Sequence, residues 1–335
     1  MRDYPSGAVR AITGRVMATK PLSHWPLIPD RPAEFDGGLH GRAKGALEFP
    51  SPAMNEPSLT GHLSPSGVRL DGLPTAERIR AAYPGDPYVA YQAPRFVMLL
   101  DLLTHYVGKE TRILDIGRTM LTEMMESVFA RPVDSLGFEP DSDQPGGARH
   151  FHFDLNAAQS REQWRGDLPG YDLIVFAEVI EHLHTAPSLV LRFLQSLLRP
   201  GGILIVQTPN GVAIGRRLSM LLGRNPFELI RENPYNPGHF REYTAAELQD
   251  YGRKTGLQVL AIQQSHPIDL RYKFALLSRP TEGRKVAEKR GLLFRLHDLG
   301  ITNFIYRHLP ASLRPGLTVI FKTPDAPAES AAGET

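Results

Sequence analysis

The sequence predicts an α/β fold: a doubly wound, Rossmann-like sheet of seven strands carrying helical insertions. Three observations point to it. Residues 171–210 read as a βαβ unit, because the apolar runs at 173–177 and 203–206 are short, β-branched and bounded by turn residues, as buried parallel strands are. Between those runs Leu189, Leu191, Leu194, Leu197 and Leu198 recur at helical spacing, and Pro200-Gly201-Gly202 stops the helix. Similar runs at 112–117, 133–138 and 257–262 flank this unit, and acidic residues stand at the carboxyl ends of several runs, where open α/β sheets bind ligands.

With 335 residues and 41% hydrophobic content, the chain can bury one large core or two smaller ones. Its apolar runs fall short of the roughly 20 residues of a membrane span, and the amino terminus lacks the apolar stretch of a signal peptide. The absence of cysteine excludes disulfides and thiolate zinc sites and suits a reducing cytoplasm, the expected location. A formal charge of +2 argues against a nucleic-acid partner held by a broad basic surface.

In chain order, residues 1–73 are rich in Pro and Gly and weakly periodic, which predicts a largely irregular extension or a recruitment arm. The domain is expected over 74–323, opening with helices at 76–82 and 88–106. The strand at 112–117 carries Asp115 and ends at Gly117, followed by Arg118, Thr119 and a helix over 120–130. The strand at 133–138 ends in Glu139, 22 residues after Gly117, where an acid can accept both hydroxyls of a ribose. The strand at 151–155 contains Asp154, and the strand at 173–177 runs into Glu178, Glu181 and His182, which share a face if that turn is helical. Residues 209–243 form a long, lid-like connection. Thr244 and Glu247 then make a capping box for a helix ending near Gly256, before the strand at 257–262. Residues 267–316 are a helical, basic insertion, 317–321 the final edge strand, and 324–335 a disordered tail.

Several of these motifs together resemble the class I S-adenosylmethionine-dependent methyltransferases. The resemblance rests on Glu178-x-x-Glu181-His182-Leu183, on Arg199-Pro200-Gly201-Gly202, on His239 spaced before Tyr243-Thr244 and Glu247-Leu248, and on Gly256-Leu257-x-Val259. It implies that S-adenosylmethionine is the cofactor and that the two opening helices cover it. It further implies that Asp115, Gly117, Glu139, Asp154 and Glu178 bind it, Gly117 through backbone amides near the methionine portion and Asp154 at the adenine amino group. Of the family's Gly-rich loop only Gly117 is present.

The Glu-x-x-Glu-His turn is similar to that of two branches, the ubiquinone-pathway O-methyltransferases and the RNA 3′-terminal 2′-O-methyltransferases; in the latter a further histidine arrives at a place comparable to His239. Carboxylates and imidazoles suit a divalent ion such as Mg²⁺ or Mn²⁺, so Glu178, Glu181, His182 and His239 are candidate metal ligands. Glu181, His182 or His239 is otherwise a base. His184 is a second candidate base, Arg216, Arg217 and Arg224 are candidate contacts for an anionic acceptor or a solvated face, and Tyr235 and Phe240 are candidate stacking or lid residues.

The resemblance implies O-methylation of a small saccharide-like or lipid-linked hydroxyl acceptor. The rivals are RNA 2′-O-methylation and a non-catalytic binding protein of the same fold. The insertion carries ten Lys or Arg against four Asp or Glu, with Leu292, Leu293, Leu296, Leu299, Ile301, Phe304, Ile305 and Leu309 at helical spacing. It predicts packing on the domain or on a second subunit of a homodimer, with peripheral contact to an anionic membrane as the alternative.

Overall fold

The computed structural model describes residues 70, 72–233, 237–279 and 291–325. All of them belong to one compact unit, Glu56–Thr335. Most of the expected 1–73 extension, residues 326–335 of the expected tail and Tyr235 lie outside the described residues.

Helices α1 (Ala76–Ala82) and α2 (Pro87–Leu103) precede strand β1 (Ile113–Ile116), helix α3 (Met120–Phe129) and strand β2 (Asp134–Gly137). Strands β3 (Ser142–Asp143), β4 (Arg149–His152) and β5 (Tyr171–Ala177) follow, then helix α4 (Pro187–Ser196) and strand β6 (Leu198–Pro209). After α5 (Ile214–Leu221), α6 (Ala245–Lys254) and β7 (Gln258–Ser265) come α7 (Lys273–Leu277), α8 (Leu292–Asp298), α9 (Ile301–His308) and β8 (Gly316–Lys322).

The strands form one sheet in the order β3-β4-β2-β1-β5-β6-β8-β7. Strands β4, β2, β1, β5 and β6 are mutually parallel, while β8 runs antiparallel to both β6 and β7. This corrects the expected seven strands to eight, because two residues too few to leave a periodic signal, Ser142 and Asp143, pair antiparallel with β4. It also corrects the expected edge strand. β8 lies inside the sheet with Leu317, Val319, Ile320 and Phe321 buried, and β7 is the edge, exposing Leu260 and Ile262. The Pro200-Gly201-Gly202 stretch does not end the helix either: α4 stops at Ser196, and the three residues already belong to β6.

Alternation along the strands divides the core between the two faces of the sheet. Leu114, Ile116, Ile174 and Phe176 pack with Phe193 and Leu248 of α4 and α6, whereas Ile113, Leu173 and Val175 pack with Phe96, Leu99 and Met125 of α2 and α3. Leu70 belongs to the second cluster, buried, with its N–H donating to Ser127 Oγ at 2.7 Å, so the packed domain begins before residue 74. At the other end Gly201 N–H donates to Pro324 O at 3.0 Å, anchoring the first residue of the expected tail.

The described part of the insertion is tied down by one buried polar hub. Asp269 accepts from Arg80 of α1, from Arg271 and from Asn303 of α9, and its N–H donates to Tyr91 O of α2. Asn303 in turn accepts from Leu270 N–H. The insertion thus docks on the domain, yet Leu292, Leu299 and Phe304 stay exposed.

Candidate functional site

Because β4, β2, β1 and β5 are parallel neighbours, the residues after them emerge on one edge, with β2 on one side of β1 and β5 on the other, the arrangement at which such sheets bind ligands. Asp115 is buried beneath the β1–α3 loop, its Oδ2 accepting from Thr122 Oγ1 at 2.6 Å. The same hydroxyl accepts from Thr119 N–H at 3.1 Å, which closes the first turn of α3. Burial pushes the Asp115 carboxyl up to about 7, against the opposing effects of Thr122 and Arg95. Gly117 has φ +84°, a conformation that disfavours a side chain, and its N–H donates to Leu136 O at 2.8 Å. Where further glycines were expected, Arg118 places a buried Nη1 without a hydrogen-bond partner.

Glu139 stands past β2, and its Oε2 lies 3.5 Å from Nε2 of the buried His150. Nδ1 of that imidazole is 2.8 Å from Oγ of Ser135, its register partner on β2. Burial holds His150 below its usual value, with Glu139 opposing. Since a carboxylate can only accept, the neutral ring is oriented with Nε2–H toward Glu139 and Nδ1 receiving the Ser135 hydroxyl. Sequence reasoning missed this pair. The available signal was a Ser and a His standing among apolar residues in adjacent buried strands. Asp154 caps a short turn, accepting from Asn156 N–H at 2.9 Å, and Asn156 Oδ1 accepts from His184 N–H, tying the end of β4 to the turn after β5.

That turn departs from the expected geometry. Glu178 sits in the left-handed region at φ +58°, its N–H donating to Gln207 O at 2.7 Å, and only Ile180–His182 is helical, a single tight 3₁₀ turn. A non-glycine residue costs about 1 kcal/mol there. Glu178 therefore precedes the helical turn rather than sharing it, and the ligating atoms that converge are those of Glu181, His182 and His239, with the Glu178 carboxyl near enough to act on Glu181. Each of the three can offer one ligating atom, and these atoms lie within 4.8 Å of one another.

Backbone pairing assembles the cluster across the chain: Phe240 and Arg241 N–H both donate to Glu181 O, at 2.8 and 3.3 Å. The His182 and His239 rings meet edge to face, centroids 4.7 Å apart. His182 Nδ1 is 2.9 Å from Gly238 O, which can only accept, so Nδ1 carries the proton and Nε2 keeps its lone pair. His239 Nδ1 likewise faces Glu242 Oε1 at 3.0 Å. Glu181 Oε2 accepts from Thr208 Oγ1 at 2.9 Å, while its buried Oε1 has no partner. Burial, then the nearby Glu178 charge, pushes Glu181 up to about 8, and burial, then His239, pushes His182 down to about 4. Burial also works against charge on His239, but Glu242 and Glu181 outweigh it and raise its value.

These residues fit a divalent cation. Two imidazoles have their Nδ1 positions fixed by hydrogen bonds, the usual orienting arrangement for histidine ligands, and an orphaned carboxylate oxygen faces no protein donor. A cation there would favour ionised Glu181 and neutral His239. The nitrogen donors suit Mn²⁺ better than Mg²⁺, which prefers oxygen.

The other candidates are dispersed. His184 is exposed and meets Phe240 edge-on at 5.7 Å. Arg216 is paired with the buried Glu242, Arg217 Nε donates to Val212 O at 2.7 Å, and Arg224 is exposed.

The family described as methyltransferase domain matches residues 89–262, just over half of the chain. A protein of Mycolicibacterium smegmatis named probable S-adenosylmethionine-dependent methyltransferase is 35% identical over 88 residues, 26% of this chain and 29% of its own length. Among solved structures, a SAM-dependent methyltransferase from Archaeoglobus fulgidus is similar at 13% identity and TM-score 0.40, over 68% of this chain and 94% of its own. One from Mesorhizobium loti is similar at 14% and 0.39, over 68% and 96%. By the family match, the chain belongs to the class I S-adenosylmethionine-dependent methyltransferases.

Proposed function

We propose that the chain binds S-adenosylmethionine along the edge formed by β1, β2 and β4 and transfers its methyl group to a hydroxyl of a small, saccharide-like acceptor. The observation that carries this reading is the convergence of Glu181, His182 and His239 at the end of β5, beside the acids expected to hold the cofactor. In this reading Glu139, oriented by His150, accepts the ribose hydroxyls, Asp154 stands at the adenine, and backbone amides after Gly117 approach the methionine portion. Arg118 adds a cationic donor for the cofactor's carboxylate where the loop lacks glycines.

Methyl transfer to oxygen forms an O–C bond as the sulfonium C–S bond breaks in line, leaving S-adenosylhomocysteine, and the acceptor must give up its proton. Glu181, His182 and His239 are placed to receive that proton. If a divalent ion is held by these three residues, it supplies Lewis-acid lowering of the acceptor's pKa and favours vicinal hydroxyls such as a saccharide offers. The same trio also supports RNA 2′-O-methylation, for which salt-dependent binding of single-stranded RNA is the discriminating measurement. Formation of S-adenosylhomocysteine with saccharide acceptors, before and after exhaustive chelation, tests the main reading. Loss on chelation and return with Mn²⁺ supports the metal; full activity after chelation leaves the three residues as bases alone.

A further inference from the structure

Thirteen of the nineteen large apolar side chains exposed among the described residues come from two stretches, 218–230 and 292–305. Leu221, Leu222, Leu229, Leu292, Leu299 and Phe304 are between 65% and 86% exposed, far beyond what isolated surface leucines require. The two stretches leave the sheet at the same edge. The first follows β6, while the second lies between β7 and β8, and β8 starts at Gly316 opposite Pro209. The segments that carry them meet: Asn210 Nδ2, just past β6, donates to Ser312 O and Arg314 O, just before β8, and Tyr306 of α9 reaches α5, its hydroxyl 3.5 Å from where a Cβ on Gly215 would stand.

This surface is basic as well as apolar. Residues 214–224 hold Arg216, Arg217 and Arg224 and no acid, and residues 291–314 hold Arg295, Arg307 and Arg314 against Asp298 alone. In the loop between, Glu228 is paired with Arg231 and Glu232 is exposed, and Arg216 is itself paired with the buried Glu242, so the excess charge comes from Arg217, Arg224, Arg295, Arg307 and Arg314. A second copy of the chain related by two-fold symmetry would set arginines against arginines with almost no acids to answer them. An RNA would leave the leucines uncovered. A bilayer with anionic headgroups answers both features at once, and no helix among the described residues is long and apolar enough to cross it. The surface is also coupled to the site. Arg216 in the first turn of α5 donates through Nε to Glu242 Oε2 at 2.9 Å, and the other oxygen of that buried carboxylate receives His239 Nδ1.

We propose that α5, residues 225–230, α8 and α9 form a surface that docks peripherally on an anionic lipid bilayer and presents the Glu181–His182–His239 cluster to a lipid-borne acceptor. The identity of the acceptor rests on the methyltransferase reading; the docking does not. The test is co-sedimentation of the full chain with vesicles of phosphatidylglycerol and phosphatidylcholine, and with phosphatidylcholine alone, at low and high salt. The expected result is binding to the anionic vesicles, weakened by salt and reduced at least tenfold by Leu221→Ser with Leu222→Ser or by Phe304→Ser with Ile305→Ser. Arg217→Glu with Arg224→Glu is expected to abolish the preference for phosphatidylglycerol. The proposal is overturned if the native chain stays in the supernatant with anionic vesicles at low salt, or if the serine variants sediment like the native chain. It is also overturned if sedimentation velocity shows a dimer that the same substitutions dissociate. Calorimetry with S-adenosylhomocysteine on each variant separates the two claims: a native chain that binds vesicles but not this ligand leaves the docking standing and removes the methyltransferase reading.

Discussion

The two halves of the sheet's carboxyl edge are stabilised in different ways. On the β1–β2–β4 side, Asp115 is held by Thr122, seven residues on, Asp154 by Asn156, two residues on, and Glu139 stands 3.5 Å from a histidine on the adjacent strand. On the β5–β6 side the groups come from distant segments: Glu181 and His182 meet His239 across the whole of α4, β6 and α5, and they keep an orphaned carboxylate oxygen and the lone pair on His182 Nε2. The first half has its acids fixed by short-range contacts, while Arg118 Nη1 and His150 Nε2 are buried there without hydrogen-bond partners. The second assembles its groups over long range and leaves Glu181 Oε1 without a partner, which the proposed reading assigns to the reacting centre.

If that division is right, substitutions in the two halves separate binding from turnover. The largest effect is expected at the second half. His239→Ala or Glu181→Gln should lower methyl transfer by about 10²- to 10⁴-fold while S-adenosylhomocysteine affinity changes less than about threefold, read by product formation and calorimetry. Glu139→Ala should do the reverse, weakening the cofactor by about 1 to 3 kcal/mol with turnover at saturating cofactor preserved. His150→Phe, which removes the donor behind Glu139, should weaken cofactor binding by about 1 kcal/mol, and Ser135→Ala, which frees the ring's orientation, by less.

The smallest effect concerns pH. Asp115 titrates near 3.8 in an unfolded chain and is pushed to about 7 when folded, so the folded state holds a proton the unfolded state releases. Its contribution to stability is therefore present below about 3.8 and is lost as pH rises through about 7. Melting temperature should fall across that window in the native chain by a few degrees more than in Asp115→Asn. Parallel melting curves for the two proteins would show that Thr122 and the arginines nearby compensate the buried charge.

What the sequence discloses follows the same division, because local patterns carry local structure. Helix α1 occupies the span its periodicity predicts, and the Thr244–Glu247 capping box forms with both of its bonds. The βαβ core and the acids at strand ends were readable for the same reason. The identity of the edge strand was not, since β7 and β8 have similar apolar runs and only pairing decides which lies inside. Nor was the left-handed Glu178, which is fixed by a bond to Gln207 on the neighbouring strand, or the tie from Arg216 through Glu242 to His239, which spans 26 residues between arginine and carboxylate. The insertion's helices could be read from their spacing, but not the hub at Asp269 that docks them, which gathers residues from α1, α9 and its own turn.

The most direct measurement is a calorimetric titration of S-adenosylhomocysteine into the native chain, Glu139→Ala and His239→Ala. A cradle on one half and a reacting centre on the other predict one site per native chain, binding about fivefold or more weaker in Glu139→Ala, and near-native binding in His239→Ala. No binding by the native chain, or equal loss in both variants, would contradict the division of the edge into two independent halves.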